Sequence, residues 1–327
     1  MDVLQVEGIS KIIRGNFVVK QISFTQQQGQ KIAIAGETGS GKSSLLKMIA
    51  GLLQPDEGEI LFQQKRVEGP NEQLIAGHPS IGYLSQYFEL RNNYKVYELL
   101  EMFNRLSEEE AAHIYQICDI TYFLQSWTNE LSGGEKQRIA LAKILVAKPS
   151  LLLLDEPFSN MDTIHKSQLK KVIHDITAQL QLSCMMVSHD AADLLSWADY
   201  MYLMKAGVFI QQGSPSQLYN HPLNAYCAAL LGDFNLLTTN ISFAPQLLQY
   251  FPGKSLWMIR LEQILINKPG IINFEGTITA IYFMGAFSLL HVQVGGTMLQ
   301  VKTNHHQVKL TQTIRLSIDP IAIHPLH

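Results

Sequence analysis

The sequence predicts an α/β domain with an antiparallel β flap and a helical subdomain, built around a phosphate-binding loop and followed by a small all-β barrel. Three stretches predict it. Residues 36–43 read Gly-Glu-Thr-Gly-Ser-Gly-Lys-Ser between a short apolar strand and a helix, the context in which GxxxxGK[ST] cradles phosphates. Residues 131–162 combine LSGGEKQR, four leucines running into Asp155-Glu156, and SNMD. Open parallel sheets bind ligands at the C-terminal ends of their strands, which is where the two carboxylates stand. From about residue 233 onward come short strands and glycine turns without a nucleotide motif, the pattern of a small barrel of OB type.

With 327 residues the chain is long enough for two cores, expected as residues 1–232 and 233–327. Lys plus Arg number 25 against 28 Asp plus Glu, a net charge of -3. This lacks the basic excess of nucleic-acid binders, so no nucleic-acid partner is expected. Charged residues make up 16%, below the roughly 25% usual in soluble proteins, which allows a surface partly covered by partners. Cys118, Cys184 and Cys227 are widely spaced with no CxxC pair, so neither a disulfide framework nor a zinc site is supported and a reducing cytoplasm fits. The opening MDVLQVEG lacks the basic and apolar regions of a signal peptide, so none is expected, and the sequence has no run of about 18 apolar residues. A role at a membrane is therefore expected to be peripheral.

In chain order, residues 2–24 read as strands around a turn at Arg14-Gly15-Asn16. Lys31 to Ala35 reads as a short buried strand, and a helix is expected over residues 44–52. In the intervening loop, Gly36, Glu37, Thr38, Gly39, Ser40 and Gly41 can curl backbone N–H groups around phosphates, together with Ser44. Lys42 can reach the β/γ oxygens, and the Ser43 hydroxyl can ligate Mg²⁺. A strand over residues 59–62 follows the turn Gln54-Pro-Asp-Glu-Gly58. Another, over residues 80–84, ends at Ser85-Gln86. Gln86 is either a surface amide or, facing the loop, a contact to Mg²⁺ and the attacking water.

Residues 87–130 turn helical, with Val96, Leu99, Leu100 and Phe103 on one face and a capping box at Ser107-Glu-Glu-Glu110. Tyr87, Phe88, Tyr94 and Tyr97 make this connector aromatic, either as core or as a groove for a partner's helix. Next, Ser132-Gly133-Gly134 precede a helix expected over residues 135–147, and its start offers an anion free N–H groups and the positive end of the dipole. Leu151 to Leu154 is the strand that delivers Asp155 and Glu156, a metal and water pair. A helix face of Leu169, Val172, Ile173, Ile176 and Leu180 follows, and then a strand, residues 183–188, ending in His189. A lone histidine is ordinarily structural, but at a strand end beside a helix start it can donate to a γ-phosphate. His305-His306 reads as an exposed turn pair, since no Cys or carboxylate cluster accompanies it.

Residues 36–43, Gln86, residues 131–138, residues 152–157, Asp162 and His189, in that order, resemble the ATP-binding subunit of an ABC transporter, a P-loop NTPase. LSGGEKQR is the specific part. The resemblance covers residues 1 to about 232 and implies two chains placed head-to-tail around two ATP molecules. Ser132, Gly133 and Gly134 would then contact ATP held by the opposite subunit, while Asp155 holds Mg²⁺ through water. Glu156 would polarise the attacking water and Asp162 would signal across the dimer. Where the family usually stacks an aromatic on adenine, this chain has Ile13, so the base is held by apolar contact or by Phe17. SNMD replaces the commoner SALD.

Residues 226–237 and the strands beyond resemble importer ATPases with a C-terminal TOBE-like domain for dimer contacts or regulation. Arg260-Leu261-Glu262 stands where members often have Arg-Pro-Glu. The partners implied are a second copy, transmembrane permease subunits and, indirectly, a substrate-binding protein, on the cytoplasmic face of the membrane. An exporter-type cassette and a solute-sensing regulatory ATPase are the alternatives.

Overall fold

The chain opens as a long hairpin in which β1 (Asp2–Ile13) and β2 (Asn16–Gln27) pair antiparallel, with Ile13 opposite Asn16. Arg14 and Gly15 between them have φ of 51° and 80°, as a type I′ turn requires for its twist to match that of the strands. This computed structural model describes residues 2–86, 90–159, 161–304 and 308–326. Tyr87 and Phe88 of the expected groove, Asn160 of SNMD, and His305-His306 lie outside the described residues.

After β3 (Lys31–Ala35), the phosphate loop leads into α1 (Lys42–Ile49), then β4 (Glu57–Phe62) and β5 (Lys65–Arg66). Next come β6 (Ile81–Leu84), α2 (Val96–Glu101), α3 (Glu108–Ile117) and α4 (Gly133–Val146). The first unit is completed by β7 (Leu151–Asp155), α5 (Thr163–Gln179), β8 (Ser183–Ser188), α6 (Ala191–Leu195), β9 (Tyr200–Lys205) and β10 (Val208–Gly213). One sheet is the antiparallel flap, in the order β2-β1-β4-β5; the other runs β10-β9-β3-β8-β7-β6. Its inner pairs are parallel and only β10 runs antiparallel.

The core explains the leucine run. Leu151 and Leu153 join Leu45, Leu46 and Ile49 of α1, Ile32 and Ile34 of β3, and Leu4 and Ile60 of the flap in one cluster. Leu152 and Leu154 point to the other face and are as fully buried. A strand covered on both faces reads as continuous apolar sequence, and each buried leucine contributes about 1.5–3 kcal/mol. Two helices, α1 and α4, each start two residues before the expected position. At α4 the reason is a second capping box: Ser132 accepts from Glu135 N at 3.4 Å, and Glu135 accepts from Ser132 N at 2.7 Å. The helix therefore begins on the glycines themselves.

The chain divides into two compact units, Met1–Pro215 and Ser216–His327, whereas the sequence places the change at 232/233. Between these positions lie most of α7 (Pro215–Asn220) and all of α8 (Ala225–Leu231). Ala228 of α8 packs on Met258 and Leu326. The second unit goes on with β11 (Phe234–Thr238), α9 (Ala244–Tyr250), β12 (Leu256–Arg260), β13 (Leu265–Ile266) and β14 (Ile272–Phe283). It ends with β15 (Ser288–Val294), β16 (Thr297–Thr303), β17 (Thr313–Ile318) and β18 (His324–Pro325). These strands form sheets β11-β12-β18 and β13-β17-β14-β15-β16, closed over Trp257, Ile278, Leu290, Val292 and Leu316.

Candidate functional site

The phosphate loop leaves β3 and enters α1 through Gly41, the N-cap, at φ 104°. A Cβ on Gly41 would lie 2.0 Å from the Val18 carbonyl oxygen, and one on Gly36 would lie 2.4 Å from that of Met204. Only glycine fits at either place, so the loop is wound tightly between the flap and β9. Lys42, buried at 4% exposure, donates from its ammonium to the carbonyls of Gly36 at 2.8 Å and Glu37 at 2.9 Å. Burial lowers its pKa from the ordinary lysine value, while Glu156, Asp155 and Glu37 oppose the shift. A buried cation held by backbone oxygens can be handed to phosphate oxygens, which accept stronger, charge-assisted bonds.

β7 carries the carboxylates to the same place. Asp155, 3% exposed, accepts from Ser43 Oγ at 2.8 Å on Oδ1 and from Tyr83 OH at 2.7 Å on Oδ2. Burial and this bond push the Tyr83 hydroxyl pKa well above its usual value, so it stays a donor. Glu156 follows in the left-handed region, φ 48°, which costs a non-glycine residue about 1–3 kcal/mol. The turn is held by Glu156 N donating to Val187 O at 3.0 Å, and by Ser159 N and Oγ donating to Glu156 O at 3.2 and 2.9 Å. The strained backbone brings Glu156 Oε2 within 3.0 Å of His189 Nδ1.

Lys42, Ser43, Glu156 and His189 border a cleft of about 620 Å³, whereas Asp155 does not line it and reaches it only through its bond from Ser43. Thr38, Gly39, Gly41, Lys42, Ser43, Ser44, Gln86, Glu156 and His189 all line it. Among the other lining residues are Val18, Phe158, Lys166 and Asp193. Asp193 is 4% exposed and pairs with Lys166 at 2.8 Å and Lys170 at 2.7 Å. Burial works against the Lys166 charge, but hydrogen bonds to Asp190 and Asp193 outweigh it and raise its pKa. Tyr83, Lys166 and Asp193 were not singled out in the sequence. The one available signal for Tyr83 was its place near the end of a strand next to β7.

The residues present fit the triphosphate of a nucleoside triphosphate and a Mg²⁺ ion. Gly36 and Gly41 form a cradle that a side chain would fill, and Ser40 Oγ is buried with no hydrogen-bond partner. Ser43, Gln86 and Asp155 offer the hard oxygen donors that suit Mg²⁺.

Comparisons with known proteins show the family. The family model described as ABC transporter matches residues 19–159, and the TOBE domain model matches residues 257–326. The Fe(3+) ions import ATP-binding protein FbpC of Pseudomonas fluorescens is 31% identical over 313 residues, covering 90% of this chain and 88% of the relative. This chain is an ABC transporter ATP-binding subunit. The glucose import ATP-binding protein GlcV of Saccharolobus solfataricus is 32% identical over 249 residues, covering 72% of this chain and 70% of the relative. Among solved structures, cbiO1 from Clostridium perfringens, part of the ABC transporter complex cbiONQ, superposes with a TM-score of 0.57 at 27% identity. It covers 67% of this chain and 90% of that one. The ATP-binding cassette MJ1267 shares the fold at a TM-score of 0.59 and 20% identity, covering 71% of this chain and 100% of that one.

The ABC subunit is thus an ATPase of the importer class, since its second unit carries the TOBE domain that the exporter-type alternative lacks. Not all expected site residues gather at the cleft. Ser132, Gly133 and Gly134 form the start of α4 and do not line it. Asp162 is the exposed N-cap of α5, accepting from Ile164 N at 2.9 Å and His165 N at 3.1 Å. Ile13, 41% exposed, ends β1 and does not line the cleft either, and Phe17 is 46% exposed. The flap residue at the cleft is Val18. Among the described residues, no helix is long and apolar enough to cross a membrane.

Proposed function

We propose that this ABC subunit powers the import of a solute by working as a head-to-tail pair, in which each cleft is completed by the start of α4 from the other copy. The observation that carries this reading is a separation. The cleft contains the phosphate loop, Gln86, Glu156 and His189, but the glycine-rich N-terminus of α4, the chain's second anion-binding feature, is not part of it. Gly133 has open space at its Cβ position, so its backbone is accessible to a phosphate carried by another molecule.

Within the cleft, Lys42 leaves the carbonyls of Gly36 and Glu37 for the β/γ-phosphates. Ser43 and Asp155, with Gln86, would hold Mg²⁺, which when bound neutralises charge on the phosphate oxygens. Tyr83 fixes the Asp155 carboxylate. Glu156 accepts the proton of the attacking water, and His189, at 3.0 Å from it, orients it and faces the γ-phosphate. The permease subunits would seat a cytoplasmic helix against the helical subdomain, placing the ATPase peripherally on that face. The cargo is left to the permease and binding protein, because relatives named for Fe(3+) and for glucose match this chain at similar identity, 31% and 32%.

Glu156→Gln tests the chemistry. It should lower ATP turnover at least about 100-fold while retaining nucleotide, so that a closed dimer with trapped ATP accumulates in sedimentation. Turnover within a few-fold of wild type would remove Glu156 as the base. Ser132→Arg tests the geometry: ATP binding by each chain is kept, but hydrolysis is lost. Unimpaired hydrolysis that does not depend on protein concentration would exclude the trans arrangement.

A further inference from the structure

The third residue of α5 is a histidine whose ring touches two elements at once. His165 Nδ1 bonds to Asp162 Oδ2, and the Asp162 carboxyl is held below the usual range first by that bond. On its other side the ring lies against Gly134: a Cβ built there would be 2.7 Å from His165 Cδ2 and 3.2 Å from Cγ. Gly133, one residue earlier, has nothing within 4 Å of its Cβ position. The two glycines therefore do different work. Gly133 keeps the helix start open, whereas Gly134 makes room for this imidazole.

We propose that His165 is a positioning residue that joins the Asp162 carboxylate to the glycine start of α4, so that the two features expected to meet the partner copy move as one body. This rests on the trans arrangement proposed above. Oδ1 of Asp162 is occupied by the N–H groups of Ile164 and His165, so Oδ2 sets the direction of the carboxylate, and only His165 is bound there among the described residues. The ring reaches from that oxygen to the backbone of Gly134, so a shift of either element displaces the other. Other ties keep α4 in place without it. Arg138 donates to Gln168 of α5 at 3.1 Å, and Gln137 bonds to the Pro157 carbonyl. The 41% exposed His165 side chain is therefore dispensable for folding.

The test uses the full-length protein and steady-state ATP hydrolysis. His165→Leu keeps bulk beside Gly134 but removes the donor to Asp162. It should lower kcat at least about 5-fold with KM for ATP within about 2-fold, because the chain's own phosphate loop is untouched. His165→Asn places an amide donor near the Nδ1 position and should recover kcat to within about 2-fold of wild type. A leucine variant with wild-type kcat, an asparagine variant no better than leucine, or a leucine variant that unfolds rather than slows would each overturn the proposal. Ser132→Arg is measured alongside. If it is inactive while His165→Leu is normal, the positioning role alone fails. If it hydrolyses normally, the trans arrangement fails and takes this proposal with it.

Discussion

Tyr83 holds Asp155 with a single hydroxyl, and that bond is testable by removing one atom. Tyr83→Phe leaves a carboxylate oxygen of a residue only 3% exposed without its 2.7 Å donor. A buried acceptor that loses its partner costs about 1–3 kcal/mol, so urea unfolding should show a loss of that size. An unchanged midpoint would mean that the bond is replaced by water. His78 gives a pH dependence of known sign. Its Nδ1 accepts from Ser80 N at 3.2 Å, its ring packs edge-on against Phe62, and burial lowers its pKa. A proton on Nδ1 would break the bond from Ser80. The unfolded chain takes up that proton near pH 6.5 and the native state only at lower pH. This residue's contribution to stability therefore falls as pH drops below about 7. Unfolding at pH 7 and 5.5 should show a smaller acid loss in His78→Leu than in wild type; equal losses would dismiss the effect.

Helix starts behave as separable parts. The box at Ser107 and Glu110, with bonds of 3.2 and 2.9 Å, serves α3 alone, so Ser107→Ala should cost about 1 kcal/mol and leave ATP hydrolysis unchanged. The start of α1 is different in kind. Gly41→Ala puts a methyl 2.0 Å from the Val18 carbonyl oxygen at φ 104°, where both the contact and the backbone are unfavourable. Nucleotide affinity should fall at least about 10-fold, read by titration with a fluorescent ATP analogue. Wild-type affinity would mean that the flap can yield at Val18.

In the whole molecule, one buried cation ties the start of the second unit to its strand β12. Arg260, fully buried, donates to the carbonyls of Tyr219 at 2.9 Å, Ala228 at 3.0 Å and Gly232 at 2.7 Å, with its guanidinium over the Tyr219 ring at 4.0 Å. It binds α7 and α8 into the second unit. A chain ended after Pro215 should therefore unfold cooperatively and keep ATP affinity. A chain ended after Gly232 should bind ATP equally well but carry residues 216–232 without Arg260 or Met258, and proteolysis should trim it back towards 215. Resistance of that tail to protease would show that it docks without the barrel. Sedimentation of full-length and shortened chains without ATP tests whether the second unit supports a dimer; the same oligomeric state in both would leave regulation as its role.

The sequence by itself determined what depends on neighbours along the chain. The Arg14-Gly15 turn, the phosphate loop, the strand of leucines and the box at Ser107 are each a few residues whose allowed φ, hydrogen bonds or burial pattern admit little else. The Glu156–His189 pair was legible only as two strand ends that a parallel sheet brings together. Tertiary structure decided the rest. The reach of Tyr83 to Asp155, the Lys166–Asp193 pair and the fit of His165 to Gly134 join residues on different elements, and no local spacing encodes them. It also decided that α7 and α8 belong with the barrel. Their own sequence is compatible with either unit, and the carbonyls that Arg260 needs are supplied only when β12 folds against them.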